Sequence, residues 1–82
     1  MIYQERSISM DNLEKFLAVL DSDEGIRIDN GTSHIFINKT SKRYCINISD
    51  NIKDEFIYKY SVKDTIGFLK NIITLTSKIV AY

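Results

Sequence analysis
The apolar residues along the chain follow two periods, and each change of period marks a new element. Met10, Leu13, Phe16, Leu17 and Leu20 recur every three or four positions, which makes one stripe of a helix. Ser9 or Asp11 stands where a cap belongs, Asp11 and Glu14 have capping-box spacing, and Gly25 offers a left-handed stop. The spacing predicts a helix over 10–22. Before it, residues 2–8 alternate loosely, as an edge strand or an ordered tail would. From 25 to 49 the period is two: Ile26 and Ile28, then Ile35 and Ile37, then Tyr44, Ile46 and Ile48. Asn30-Gly31 is a hairpin signal, because both residue types tolerate positive φ. That turn sets Asp29 against Thr32 and Ile26 against Ile35. A second turn over 39–42 sets Ile37 beside Tyr44 and Ile35 beside Ile46. One register thus gathers every isoleucine of the region on one face.

A fourth strand is expected over 55–60, where Phe56, Tyr58 and Tyr60 alternate with Ile57 and Lys59. Ser61 then caps a second helix, with Asp64 three residues on. Val62, Ile66, Leu69, Ile73 and Val80 form its stripe, widened by Phe68, Ile72 and Leu75. The β-branched run Ile72-Ile73-Thr74 is a poor helix former, so the end is expected near Ser77. The expected architecture is a single α+β domain over 1–82. It has two layers, an antiparallel meander sheet of about four strands, and two helices on one face, in the order α-β-β-β-β-α.

Composition narrows the function. With 82 residues there is room for one domain and not for a cofactor domain beside a substrate domain. Lys+Arg and Asp+Glu are both 11, a balance that argues against a dedicated nucleic-acid binder and equally against an acidic DNA mimic. By segment the charge is uneven. Residues 1–24 hold six acidic and two basic side chains, and residues 25–48 hold one acidic and four basic. Such a dipolar molecule can orient against a charged partner. One cysteine forbids an internal disulfide, and with one histidine it rules out multi-Cys/His zinc sites. No apolar run reaches membrane-helix length, and the first residues lack a secretory pattern, so a cytoplasmic protein is expected.

Candidate chemistry is sparse. No phosphate loop, dinucleotide fingerprint or zinc-protease motif occurs, and three scattered glycines cannot build a phosphate cradle. His34 and Cys45 fall on one face of adjacent strands, but no third group is placed to lower the thiol pKa. No enzyme and no cofactor is expected. The run Asp21-Ser22-Asp23-Glu24-Gly25 fails as a calcium loop, since its glycine is fifth and no glutamate stands twelfth. Asp21, Asp23 and Glu24 remain as a candidate acidic patch, because acidic groups after a helix C-terminus oppose the macrodipole.

The sharper clue is the sheet face away from the isoleucines. On the expected register it carries Arg27, His34, Phe36, Arg43, Cys45, Ile57 and Lys59, with Phe36, Cys45 and Ile57 in a row. A solvated sheet face should be polar. An apolar row rimmed by Arg and Lys has the make-up of an interface. Its readings are a heterologous protein partner, a homodimer contact, or cover by residues 1–8.

A helix, an Asn-Gly-turned meander and a closing helix in a short, neutral, Ile/Lys/Asn-rich chain resemble the small phage-encoded inhibitors of bacterial defence, the anti-CRISPR proteins. Ile, Lys, Asn and Tyr have A/T-rich codons, as in a low-GC bacterium or its phage. The resemblance lies in size, composition and element order, and it transfers no functional residue. It implies a stoichiometric inhibitor in the bacterial host cytosol that occupies a surface on a CRISPR-associated nuclease or complex. The alternative is a small RNA- or DNA-binding regulator, since the double-stranded RNA-binding domain runs α-β-β-β-α. There the second helix opens with a lysine cluster. Here that position reads Ser61-Val62-Lys63-Asp64.

Overall fold
The computed structural model describes residues 6–21, 23–74 and 77–82. Its elements are β1 (Arg6–Ser7), α1 (Met10–Ala18), β2 (Gly25–Asn30), β3 (Ser33–Thr40), β4 (Arg43–Ser49), β5 (Asp54–Lys59), α2 (Val62–Lys70) and β6 (Lys78–Ala81). The two-layer α+β architecture is the expected one. The sheet is larger than expected: six strands in the order β1-β6-β2-β3-β4-β5, every pair antiparallel.

The extra strand lies where the second helix was expected to continue. α2 stops at Lys70, Asn71 caps it, and the β-branched run that follows leaves the helical path. Residues 78–81 then alternate, with Ile79 and Ala81 buried and Val80 half-exposed, and pair with β2 on one side and β1 on the other. Val80 is therefore an outer-face strand residue and no part of a helical stripe. β1 answers the question of the leading strand for Arg6 and Ser7, and Ile8 is buried beneath it. The remainder of that loosely alternating segment, residues 2–5, lies outside the described residues.

Both hairpins keep the expected faces and shift the expected register. Ile26 pairs with Ile37 and Ile28 with Ile35, and Ile37 pairs with Ile46 and Ile35 with Ile48. Each pairing is displaced by two residues, because the tight turns are Gly31-Thr32 and Ser41-Lys42. Gly31 takes φ +75°, and among the described residues no other residue type has positive φ. That suits a II′ turn, with glycine at the first central position. A two-residue displacement leaves every side chain on its own face, so the isoleucine core is as expected. Ile26, Ile28, Ile35, Ile37 and Ile46 are buried, together with Leu13 and Leu17 of α1 and Leu69 of α2.

Polar groups tie the helices to the sheet. The Tyr44 hydroxyl donates to the Leu17 carbonyl at 2.7 Å, satisfying one of the last carbonyls of α1 inside the core. α1 ends at Ala18, two residues before its last apolar position and four before the expected end at 22, and neither Ser9 nor Asp11 makes a side-chain cap at its start. At α2, Ser61 Oγ does accept from the Asp64 amide at 3.1 Å. Gly25 is no helix stop but the first residue of β2. The Tyr82 ring covers it so closely that a Cβ there would lie 2.5 Å from a ring carbon, while Gly25 and Tyr82 exchange both backbone hydrogen bonds at 2.9 Å. Asn30 acts beyond its turn. Its amide donates to the Ile72 carbonyl at 2.8 Å and its oxygen accepts from Ser77 Oγ, clamping the segment between α2 and β6.

Candidate protein-binding interface
The face away from the helices is built by the odd residues of β2 and β4 beside the even residues of β3 and β5. Across β6, β2, β3, β4 and β5 the central row reads Val80, Arg27, Phe36, Asn47, Phe56. A second row on the same face reads Asn38, Cys45, Tyr58. Phe36, Arg27, Arg43 and Cys45 therefore share the face expected of them, but Phe36 and Cys45 lie in different rows, so the expected row of Phe36, Cys45 and Ile57 is not formed. Ile57 and Lys59 do not share that face. Ile57 pairs with the buried Ile46 and packs against the core, and Lys59 pairs with Tyr44 and sets its ammonium 5.4 Å from the Phe68 ring of α2.

The reason is the turn between β4 and β5. It closes as a third two-residue turn, with the Asp50 amide donating to the Lys53 carbonyl at 3.1 Å and Asp50 Oδ1 accepting from the Ile52 and Lys53 amides. This fixes β5 so that Ile57 continues the isoleucine face. The outer-face apolar residues of β5 are Phe56, 62% exposed, and Tyr58, 43% exposed, with Tyr60 just beyond the strand 69% exposed. The sequence reading missed these aromatics as site residues. Two adjacent hairpins with two-residue turns already argued for a third, and that would have turned Phe56 and Tyr58 outward.

Arg43 is not merely a rim charge. Its guanidinium carbon sits 4.2 Å from the Tyr58 ring centroid, a cation–π stack that holds both planes in place. At the other end of the face, Asp29 accepts from His34 Nδ1 at 2.6 Å and lies 3.3 Å from Arg27 Nε. The His34 hydrogen bond and the Arg27 charge together hold the Asp29 carboxyl below its ordinary pKa, against a smaller opposing effect of burial. The His34 ring is 6.4 Å from that of Phe36. His34 stands opposite Ser49, whereas Cys45 stands opposite Asn38, four residues along β4, so the conceivable Cys45–His34 pair is not formed.

The acidic residues sit apart, in the connection between α1 and β2. Glu24 Oε1 accepts from the Asp21 amide at 3.0 Å, and the Glu24 amide donates to the Asp21 carbonyl at 3.1 Å. Glu24 thus closes its own turn, while Asp21 and Asp23 are exposed. Among the described residues no group of three or more His, Cys, Asp or Glu is placed to hold a metal ion, and no helix is long and apolar enough to cross a membrane. No protein-family model matches this chain, and neither a curated protein nor a solved structure matches it.

Proposed function
We propose that this chain is a non-catalytic protein-binding module, and that it acts as a phage or mobile-element inhibitor of a bacterial defence nuclease or surveillance complex. The observation that carries the binding reading is the exposed aromatic band on the outer sheet face, Phe56 and Tyr58 with the Arg43 stack, continued inward by Phe36. Aromatic and Arg side chains supply most of the energy in protein interfaces. Held on strands, these have little freedom left to lose on binding. The anti-defence part rests on the resemblance in size, composition and element order.

The test begins with capture of partners from the native bacterial host and identification by mass spectrometry, followed by titration of purified variants against the partner found. Tyr58→Ala and Phe36→Ala each weaken the complex at least about tenfold, equivalent to ~1.4 kcal/mol. A triple Asp21/Asp23/Glu24→Lys variant leaves it intact. The opposite pattern moves the site to the acidic turn. Submicromolar binding to generic duplex RNA or DNA at about 150 mM salt, where the screening length is ~8 Å, replaces the inhibitor reading with the nucleic-acid regulator.

A further inference from the structure
The two edges of the sheet are unlike. Among the described residues one is β1, Arg6–Ser7, and the other is β5, six residues long. A long edge strand presents a row of unpaired backbone groups and is a template for another strand.

The direction of those groups follows from the turn that precedes β5. The Asp50 amide bonds the Lys53 carbonyl, so Asp50 and Lys53 form a hydrogen-bonded pair. Antiparallel pairs alternate between bonded and non-bonded. Glu55, Ile57 and Lys59 therefore turn their backbone groups to β4, and Asp54, Phe56 and Tyr58 turn theirs to the open edge.

We propose that β5 recognises itself: two copies of the chain pair β5 to β5, antiparallel, about a twofold axis at Ile57. In this register Phe56 stands opposite Tyr58 of the second copy, and the two exchange both backbone hydrogen bonds, since both face the edge. Glu55 stands opposite Lys59 of the second copy, and by symmetry the same pairs recur on the far side of the axis. Charges at these positions on the covered face of an edge strand ordinarily deter pairing. Here each meets its opposite, at non-bonded positions where side chains come closest.

The neighbouring registers lack this match. An axis at Phe56 sets Glu55 against Ile57 and Asp54 against Tyr58. An axis at Tyr58 sets Ile57 against Lys59. Glu55 already has Lys53 at 3.0 Å, so in the pair it lies between two ammonium groups. The sheet becomes continuous across both copies, and their Phe56 and Tyr58 rings merge into one band on the outer face. The inference rests on β5 alone and is independent of the partner reading above.

Sedimentation equilibrium over a concentration series, with circular dichroism to establish folding, tests it. The parent chain shows a reversible monomer–dimer equilibrium. E55K and K59E each weaken the dimer at least about tenfold, because each places like charges opposite one another in both symmetric pairs. The E55K/K59E double variant restores it. In a C45S background, I57C cross-links on mild oxidation, since non-bonded antiparallel pairs bring Cα atoms to about 4.5 Å, within the span of a disulfide. V19C, exposed just beyond α1, does not cross-link. A folded parent that stays monomeric at every concentration overturns the proposal. So does a dimer indifferent to E55K and K59E, and the charge swap decides should I57C fail to fold.

Discussion
On the helix-covered face, β2, β3 and β4 present Ile26, Ile28, Ile35, Ile37, Tyr44 and Ile46, all buried. On the opposite face the same strands present Arg27, Asp29, His34, Phe36, Arg43, Cys45 and Asn47, none of them fully buried. The first face is nearly uniform because a closed core admits only side chains that fill it, and β-branched chains suit a pleated surface. The second is chemically varied because water satisfies whatever the strand shows. Two thirds of the way along the chain this contrast weakens. β5 places Ile57 and the Lys59 stem inward but sets Phe56 and Tyr58 in solvent, where stability does not require them. The difference separates residues that hold the fold from residues available for recognition.

The separation can be broken from either side. The largest effect is expected from Ile46→Asp or Ile28→Asp, which places an unpaired carboxylate in the core. Each costs about 3–5 kcal/mol, a large share of small-domain stability, read as the shift of a urea midpoint. A melting point within a few degrees of the parent would contradict the face assignment. Next comes Tyr44→Phe, which takes the shorter of two hydrogen bonds from the Leu17 carbonyl, leaving the Leu20 amide at 3.4 Å, and costs about 1 kcal/mol. Gly25→Ala costs somewhat less, about 0.5–1 kcal/mol, since the new methyl must push aside the end of the Tyr82 ring. In a Tyr82→Ala background the same change is close to neutral, and that double-mutant cycle isolates the clash. On the outer face, Tyr58→Ala changes stability by no more than about 0.5 kcal/mol in the monomer.

The smallest effect is one of pH. Asp29 has its pKa lowered in the fold, so its contribution is complete above the ordinary carboxylate value of about 3.9 and is lost as the pH falls through the lower folded value. The stability gap between the parent and Asp29→Asn should persist down to about pH 5 and close only below about 4. A gap that closes above pH 5 would contradict the Asp29 assignment.

The isoleucine core was legible because its period is two. Both hairpin registers were displaced by two residues, and a displacement of that size cannot move a side chain to the other face. Ile57 was misplaced because β5 has apolar residues at both parities, so its pattern alone fits either orientation. Only the geometry of the turn at 50–53 decides between them. The C-terminal strand was hidden for a related reason. Ile66, Leu69 and Ile73 carry a helical rhythm onto Val80, whereas Ile79 and Ala81 are too few to announce a strand. The clamp made by Asn30 and Ser77 joins residues far apart in sequence, and no local pattern encodes it. The Tyr58–Arg43 stack was half legible: Arg43 was picked out for its charge, but its ring partner depends on the same turn.

β6 has a consequence for how the molecule is made. The last element in sequence lies between the first two strands, so β1 and β2 are joined only through it. While the chain is still leaving the ribosome, the hairpins of β2, β3, β4 and β5 can close locally and quickly. β1 has no neighbour until β6 arrives, and β2 keeps a raw edge beside Ile26 and Ile28. Pairings of such long sequence separation form late and slowly. A chain in which β6 has not yet docked therefore holds a sheet with both sides open. The interval before β6 docks is when this protein is most exposed to aggregation and to the proteases and chaperones that patrol unfinished chains.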